Sequence, residues 1–244
     1  MLNSLQVLLP ETIGIIGGGQ LGRMLIYCTR KLGFRFAVLD PDPLAPARPM
    51  ADTFVQGSLY DPAALKQLVA YSDVVTYEIE HLDTGTLLEA EKAGKQIYPS
   101  PSLLQIIQDK GLQKETFARA GVPVPPYFFF DGEAEAKRGT PINLSLAKRA
   151  KELGFSYPLV QKSRRGGYDG RGVRVLKSPT DELLASPSIL EEYIPFQKEL
   201  AVMVARDREG KVLSYPVVEM VFNPDHNICD SVLAPARISE EVAA

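Results

Sequence analysis

Residues 12 to 42 read TIGIIGGGQLGRMLIYCTRKLGFRFAVLDPD, and this stretch narrows the possible folds more than any other. The β-rich run at 13–16 reads as a strand, the glycines as a tight turn, 21–32 as an amphipathic helix and 36–39 as a second strand. A strand, a helix and a second strand in that order pair the strands in parallel through a right-handed crossover. The rhythm continues, with strands expected at 53–55, 74–79 and 96–98 and helices at 62–70 and 84–93. The fold class expected is therefore α/β, opening with a Rossmann-like parallel-sheet domain over residues 1–99.

The turn itself has two readings. Gly17, Gly19 and Gly22 satisfy G-x-G-x-x-G between a strand and a helix, a spacing that can seat a phosphate on a helix N-terminus. Asp40 follows near where a dinucleotide fold places its ribose-binding acid, so an NAD-dependent oxidoreductase fits this part. The same glycines would also serve for close helix-strand packing alone.

Near Pro99 the pattern changes. SPSLLQIIQDKGLQKETFARAGVPVPP reads as two short helices and a proline-marked exit, a hinge into a second domain over residues 100–244. Strands expected at 159–162, 173–176, 189–192, 199–205 and 212–221, with a turn at 207–210, make an antiparallel sheet there and an α+β second domain. The segment 131–153 reads as a loop around Arg138 to Pro141 followed by a helix. Between two of these strands lies QKSRRGGYDGRGVR, whose glycines allow close backbone approach and whose lysine and arginines suit an anion. A strand-loop-strand flap of this kind can fold over a triphosphate, and a merely basic hairpin turn is the plain alternative.

Composition excludes several classes. The net charge of -3 argues against general nucleic-acid binding, so any basic site is local. Apolar residues at 45% and charged residues at 23% suit a packed globular chain. No apolar run is long enough to span a bilayer and the opening lacks a secretory pattern, which makes the cytoplasm the expected compartment and a membrane partner unexpected. Cys28 and Cys229 have no metal or redox spacing and read as ordinary buried or semi-buried residues. His226, beside Asp225 and Asp230, reads as an exposed loop residue, and no metal ligands are assigned.

GIIGGGQLGRML, TYEIEHL, QDKGLQKETFARAGVPVPPY, GGYDGRG, ILEEYIPFQKELAV, YPVVE and APAR together resemble the ATP-grasp superfamily, and within it the 5-(carboxyamino)imidazole ribonucleotide synthases of purine biosynthesis. The resemblance runs from about Thr12 to Arg237, and GGYDGRG preceded by Lys162 is its most specific part. It implies a ligase that phosphorylates bicarbonate with ATP and Mg²⁺ and carboxylates the exocyclic amine of 5-aminoimidazole ribonucleotide. It also implies a homodimer. By the family pattern Lys162 and Lys110 would contact ATP phosphates, although the family often has arginine at the second position. Gly167, Tyr168, Asp169, Gly170, Arg171, Gly172 and Val173 would close over the nucleotide. Glu191, Glu192, Tyr193 and Ile194 would line the adenine, and Glu199 would hold the ribose. Tyr168, Asp169 and Arg171 would also face the imidazole ribonucleotide, with Gly19, Gln20, Leu21 and Glu80 approaching from the first domain. Lys162 and Arg171 are the catalytic candidates.

Two departures accompany the resemblance. The family's Glu-Asn-x-His is here Glu219, Met220, Val221 and Phe222, so a polar contact expected from histidine is absent. Family members also continue past the APA segment, into the part that carries their Mg²⁺ ligands. The expectation is thus an incomplete ATP-grasp domain with little carboxylation of its own, and a catalytically silent nucleotide-binding fragment is a third reading.

Overall fold

The computed structural model of the chain describes residues 11–167, 172–223 and 229–243. They form two compact units, Met1–Val122 and Pro123–Ala244.

The first unit follows the alternation of its sequence. Strand β1 (Thr12–Ile16), helix α1 (Gln20–Thr29) and strand β2 (Arg35–Asp40) are followed by β3 (Thr53–Gln56) and α2 (Pro62–Tyr71). Then come β4 (Val74–Tyr77), α3 (Thr84–Lys92), β5 (Gln96–Ile97), α4 (Pro101–Gln108) and α5 (Lys110–Arg119). All five strands run parallel in the order β3-β2-β1-β4-β5, with Ile13 opposite both Phe36 and Val74. Consecutive residues feed opposite faces, as a period of two requires. Ile15, Phe36 and Val38 pack with Ile26 of α1, whereas Ile16, Ala37 and Leu39 pack with Leu65 and Leu68 of α2. Both faces are covered, which is why β2 reads as an almost unbroken apolar run.

Helices α2, α3, α4 and α5 begin at side-chain caps. Asp61, Asp83, Ser100 and Asp109 each accept a backbone N–H from the first turn of α2, α3, α4 and α5, and Pro62 and Pro101 sit at first positions that need no donor. The two helices read as a hinge belong to the first unit. Leu104 of α4 is buried in the same apolar cluster as Leu82, Leu87 and Ile97, so the unit runs on to Val122. Cys28 corrects another expectation, since it lies exposed on α1 on the side away from buried Gly22 and Ile26.

The second unit holds β6 (Tyr127–Phe130), α6 (Gly132–Lys137), α7 (Ile142–Glu152), β7 (Leu159–Ser163), β8 (Val173–Leu176) and β9 (Ser188–Glu192). It continues with β10 (Glu199–Ala201), β11 (Val204–Arg206), β12 (Val212–Ser214), β13 (Val218–Phe222), β14 (Cys229–Leu233) and α8 (Glu240–Ala243). Its antiparallel sheet has the order β6-β9-β7-β8, and α7 packs Leu146 and Ala150 against Phe128, Phe130, Leu159, Leu176 and Leu190. Strand β6 and helix α6 were not foreseen. Asp131 caps α6 by accepting from Ala134 N, a signal present in the sequence but masked by the short helix length.

The expected strand 199–205 divides into β10 and β11 because the two halves take different partners, β13 and β12. The expected strand 212–221 breaks around Pro216, which has no N–H for a ladder. The turn between β11 and β12 forms as read, with Gly210 at φ 88° and its N–H donating to Asp207 O at 3.2 Å. Strand β14, also unforeseen, pairs with β13, and Val221 and Val232 stay 36% and 56% exposed. Among the described residues no helix is long and apolar enough to cross a membrane.

Candidate functional site

Two antiparallel pairings set up one face of the second unit's main sheet. Val160 lies opposite both Val175 and Glu191, and Lys162 lies opposite Val173 and Ile189. The alternate residues Leu159, Leu176 and Leu190 point into the apolar core, so Val160, Lys162, Val173, Val175 and Glu191 are left for the other face. There they line a cleft of about 500 Å³ together with Pro125, Glu192, Tyr193, Ile194, Phe196 and Glu199. Three valines give a flat apolar floor. Lys162 Nζ donates to Glu191 Oε2 at 2.8 Å at its polar end, with the lysine side chain 31% exposed and the glutamate 5%.

Six residues chosen from the sequence for a nucleotide besides Lys162 are thereby brought together: Val173, Glu191, Glu192, Tyr193, Ile194 and Glu199. The apolar floor of Val160 and Val175 was missed, although strand alternation around Lys162 could have shown it. Gly167 and Gly172 flank the flap without lining the cleft. Gly172 has φ +77°, a conformation that favours glycine, and a Cβ there would sit tightly at 3.2 Å from Ser163. Tyr168, Asp169, Gly170 and Arg171 lie outside the described residues, as does His226. Lys110 opens α5 in the first unit.

A second charged group lies on the neighbouring three-stranded sheet. Glu219 of β13 is buried and accepts from Arg237 Nη2 at 2.7 Å, from Arg237 Nε at 3.2 Å and from Lys198 Nζ at 2.9 Å. Hydrogen bonds first from Arg237 and then from Lys198 hold its carboxyl down to about 2. Lys198 also donates to Arg237 O at 2.9 Å. Register places Glu199 opposite Met220 and Leu200 opposite Glu219, so this cluster and the cleft-lining Glu199 use opposite faces of the sheet. Phe222 ends β13 opposite Cys229.

In the first unit the glycine turn is engaged by its own carboxylates. Gly18 N donates to Asp40 Oδ2 at 2.7 Å and Gly19 N to Glu78 Oε1 at 3.0 Å. A Cβ on Gly17 or Gly19 would approach Glu78 Oε1 to 2.8 and 2.9 Å, and one on Gly22 would approach Gly17 O to 2.7 Å. Close packing against backbone accounts for Gly22, and the positive φ of 94° for Gly17, whereas Gly19 meets only the mobile end of Glu78. The other Asp40 oxygen accepts Asp42 N at 2.8 Å, so each oxygen of the carboxylate expected on a dinucleotide ribose already binds a backbone amide. Glu78 was not singled out from TYEIEHL, yet it follows β4 at the point where the strand order reverses. Gln20 and Leu21 are exposed at the start of α1, and Glu80 Oε1 lies 3.4 Å from His81 Nε2.

Mg²⁺ binding by protein calls for oxygen ligands left free to face the ion. Among the described residues no three His, Cys, Asp or Glu side chains gather in a group that could hold a metal, and Glu191 in the cleft already pairs with Lys162.

Comparison with known proteins bears on this cleft. Residues 10–108 match the ribonucleotide synthetase preATP-grasp domain, and residues 115–244 match the ATP-grasp domain. The chain belongs to the ATP-grasp family. It is 41% identical over 241 residues to a phosphoribosylaminoimidazole carboxylase of Ogataea methanolica, covering 95% of this chain and 42% of that one. The crystal structure of N5-carboxyaminoimidazole ribonucleotide synthetase from Thermotoga maritima superposes with a TM-score of 0.80 at 40% identity, covering 96% of this chain and 57% of that one. An N5-carboxyaminoimidazole synthase from Aspergillus clavatus, in complex with ADP and 5-aminoimidazole ribonucleotide, gives a TM-score of 0.80 at 36% identity over 96% of this chain and 59% of that one. This ATP-grasp chain thus spans about half the length of the relatives it matches.

Proposed function

We propose that this chain contributes the nucleotide-binding part of an ATP-dependent carbon-nitrogen ligase that carboxylates 5-aminoimidazole ribonucleotide in purine biosynthesis. The observation that carries the proposal is the convergence of Lys162, Glu191 and Glu199 on one cleft with an apolar floor. A purine has a flat apolar face that suits Val160, Val173 and Val175, a ribose offers hydroxyls to Glu199, and phosphates need a cation such as Lys162. Bicarbonate oxygen attacks the terminal phosphorus of ATP, giving carboxyphosphate and ADP. The exocyclic amine then attacks the carboxyl carbon, phosphate leaves, and the amine loses a proton. Catalysis of such transfers is mainly positioning and charge neutralisation, which is the part assigned to Lys162 and, by family resemblance, to Arg171 and Lys110.

Family resemblance also assigns Gly167 to Val173 to a cover over the nucleotide. It assigns Tyr168, Asp169, Arg171, Gly19, Gln20, Leu21 and Glu80 to the imidazole ribonucleotide. A ribonucleotide phosphate reaching the first turn would have to displace Glu78 from Gly19 N. Bicarbonate as co-substrate, Mg²⁺, a homodimeric assembly and a cytoplasmic setting belong to the same proposal. The match of residues 10–108 and 115–244 to the preATP-grasp and ATP-grasp domains favours this reading over nicotinamide chemistry.

Calorimetry with ADP tests the cleft. Lys162→Ala should weaken binding by roughly ten- to a hundredfold, the worth of about 1.5–3 kcal/mol for a hydrogen bond to a charged group. Equal affinity for parent and variant would remove Lys162 from the site. The reaction itself is tested on a protein that extends this chain to the length of its relatives, by ATP consumption that requires both bicarbonate and 5-aminoimidazole ribonucleotide, and consumption independent of either would refute it.

A further inference from the structure

A lysine that meets phosphates is a point charge on a flexible stem, and it loses rotamer freedom when it is fixed in one place. Lys162 is already fixed. Its ammonium lies 2.8 Å from Glu191 Oε2, and register makes the two residues diagonal neighbours on the cleft face of adjacent strands, since Lys162 lies opposite Ile189 and Glu191 opposite Val160. The carboxylate is the buried member at 5% exposure and the ammonium the accessible one at 31%, so an anion entering the cleft meets the lysine first. An ammonium has three donors, and Glu191 Oε2 takes one of them.

We propose that Glu191 is a positioning residue, a buried carboxylate that holds the Lys162 ammonium ready over the valine floor for the nucleotide's phosphates. This inference rests on the nucleotide-binding reading of the cleft. Two effects of the carboxylate oppose each other. Its negative charge repels an incoming polyphosphate, and its hold on Lys162 lowers the ordering cost of binding. The difference in exposure decides the balance, because the ammonium is 31% accessible and the carboxylate only 5%.

The experiment is a double-mutant cycle read by ADP calorimetry on the whole chain. Glu191→Gln keeps the size of the side chain and removes its charge, and the partly exposed ammonium left behind can be hydrated, so the fold should persist. Circular dichroism checks this, and Glu191→Asp serves as a second variant that keeps the charge on a shorter stem. The expected result is an ADP affinity lowered about tenfold in Glu191→Gln, a part of what lysine ordering can contribute, with partial recovery in Glu191→Asp. In the Lys162→Met background, Glu191→Gln should cost clearly less affinity than in the parent, because the part of its effect that runs through the lysine is gone while any direct contact with the nucleotide remains. A parent that binds ADP while Glu191→Gln binds it equally well or more tightly would overturn the inference alone, as would full additivity of the two substitutions. A parent without ADP binding would overturn the reading of the cleft as well.

Discussion

Replacing Gly22 by alanine sets two opposed effects against each other at the first glycine turn. Alanine is the better helix former by about 1 kcal/mol in a helix interior, and near the start of α1 the gain is about half of that. Against it, the new Cβ would stand 2.7 Å from Gly17 O and 3.7 Å from Ile15 Cγ2. The near atom is backbone, held by Gly17 N donating to Leu39 O at 2.9 Å, so it cannot swing aside as a side chain could. Overpacking of this kind costs about 1–3 kcal/mol. The net expectation is a loss of about 1–2 kcal/mol, which for a unit of this size lowers the melting temperature by about 3–8 °C. Relief would come by lifting α1 from the turn, which stretches the bonds from Gly18 N to Asp40 and from Gly19 N to Glu78. Thermal circular dichroism measures the loss, and hydrogen exchange should speed at the amides of Gly18 and Gly19. An unchanged or raised melting temperature with unchanged exchange would show that Gly22 is not held against the turn and that the packing account is wrong.

The Glu219 cluster predicts a pH dependence in acid. Its folded carboxyl titrates at about 2 against an ordinary 4.5, so its stabilisation is complete above about 4.5 and is lost as pH falls through about 2. Glu219→Gln should therefore melt below the parent at neutral pH and approach it toward pH 2, whereas a constant difference across that window would refute the assignment. Burial, and then the nearby Glu91 carboxylate, push the Tyr77 phenol up to about 12. Its contribution to stability is present below pH 10 and fades as pH rises through about 12. An ultraviolet titration comparing the parent with Tyr77→Phe should lose one late-ionising phenol, and the loss of an ordinary one near 10 would contradict the burial.

How far sequence reaches into this structure depends on the range of the interaction. The parallel sheet was legible because each strand and helix announces itself within a few residues: Asp61 with Pro62 starts α2, Ser100 with Pro101 starts α4, and β-branched runs mark the strands. The division of 199–205 was not, since β10 and β11 differ only in which distant strand each meets, β13 or β12. The same reasoning separates the two glycine clusters. GGGQLG fits a phosphate by local spacing, but the carboxylates that take its amides come from Asp40 and Glu78, 22 and 59 residues away from Gly18 and Gly19. A local motif records what a backbone can do, and remote residues decide what it has left to offer. In the cleft that logic ran the other way. Lys162 and Glu191 stand 29 residues apart, yet both lie on strands whose alternation fixes their facing, so the side each presents was readable even though their contact was not. Register supplies the missing step: it sets Lys162 and Glu191 two positions apart on paired strands, and at that spacing a long ammonium reaches a carboxylate across the ladder.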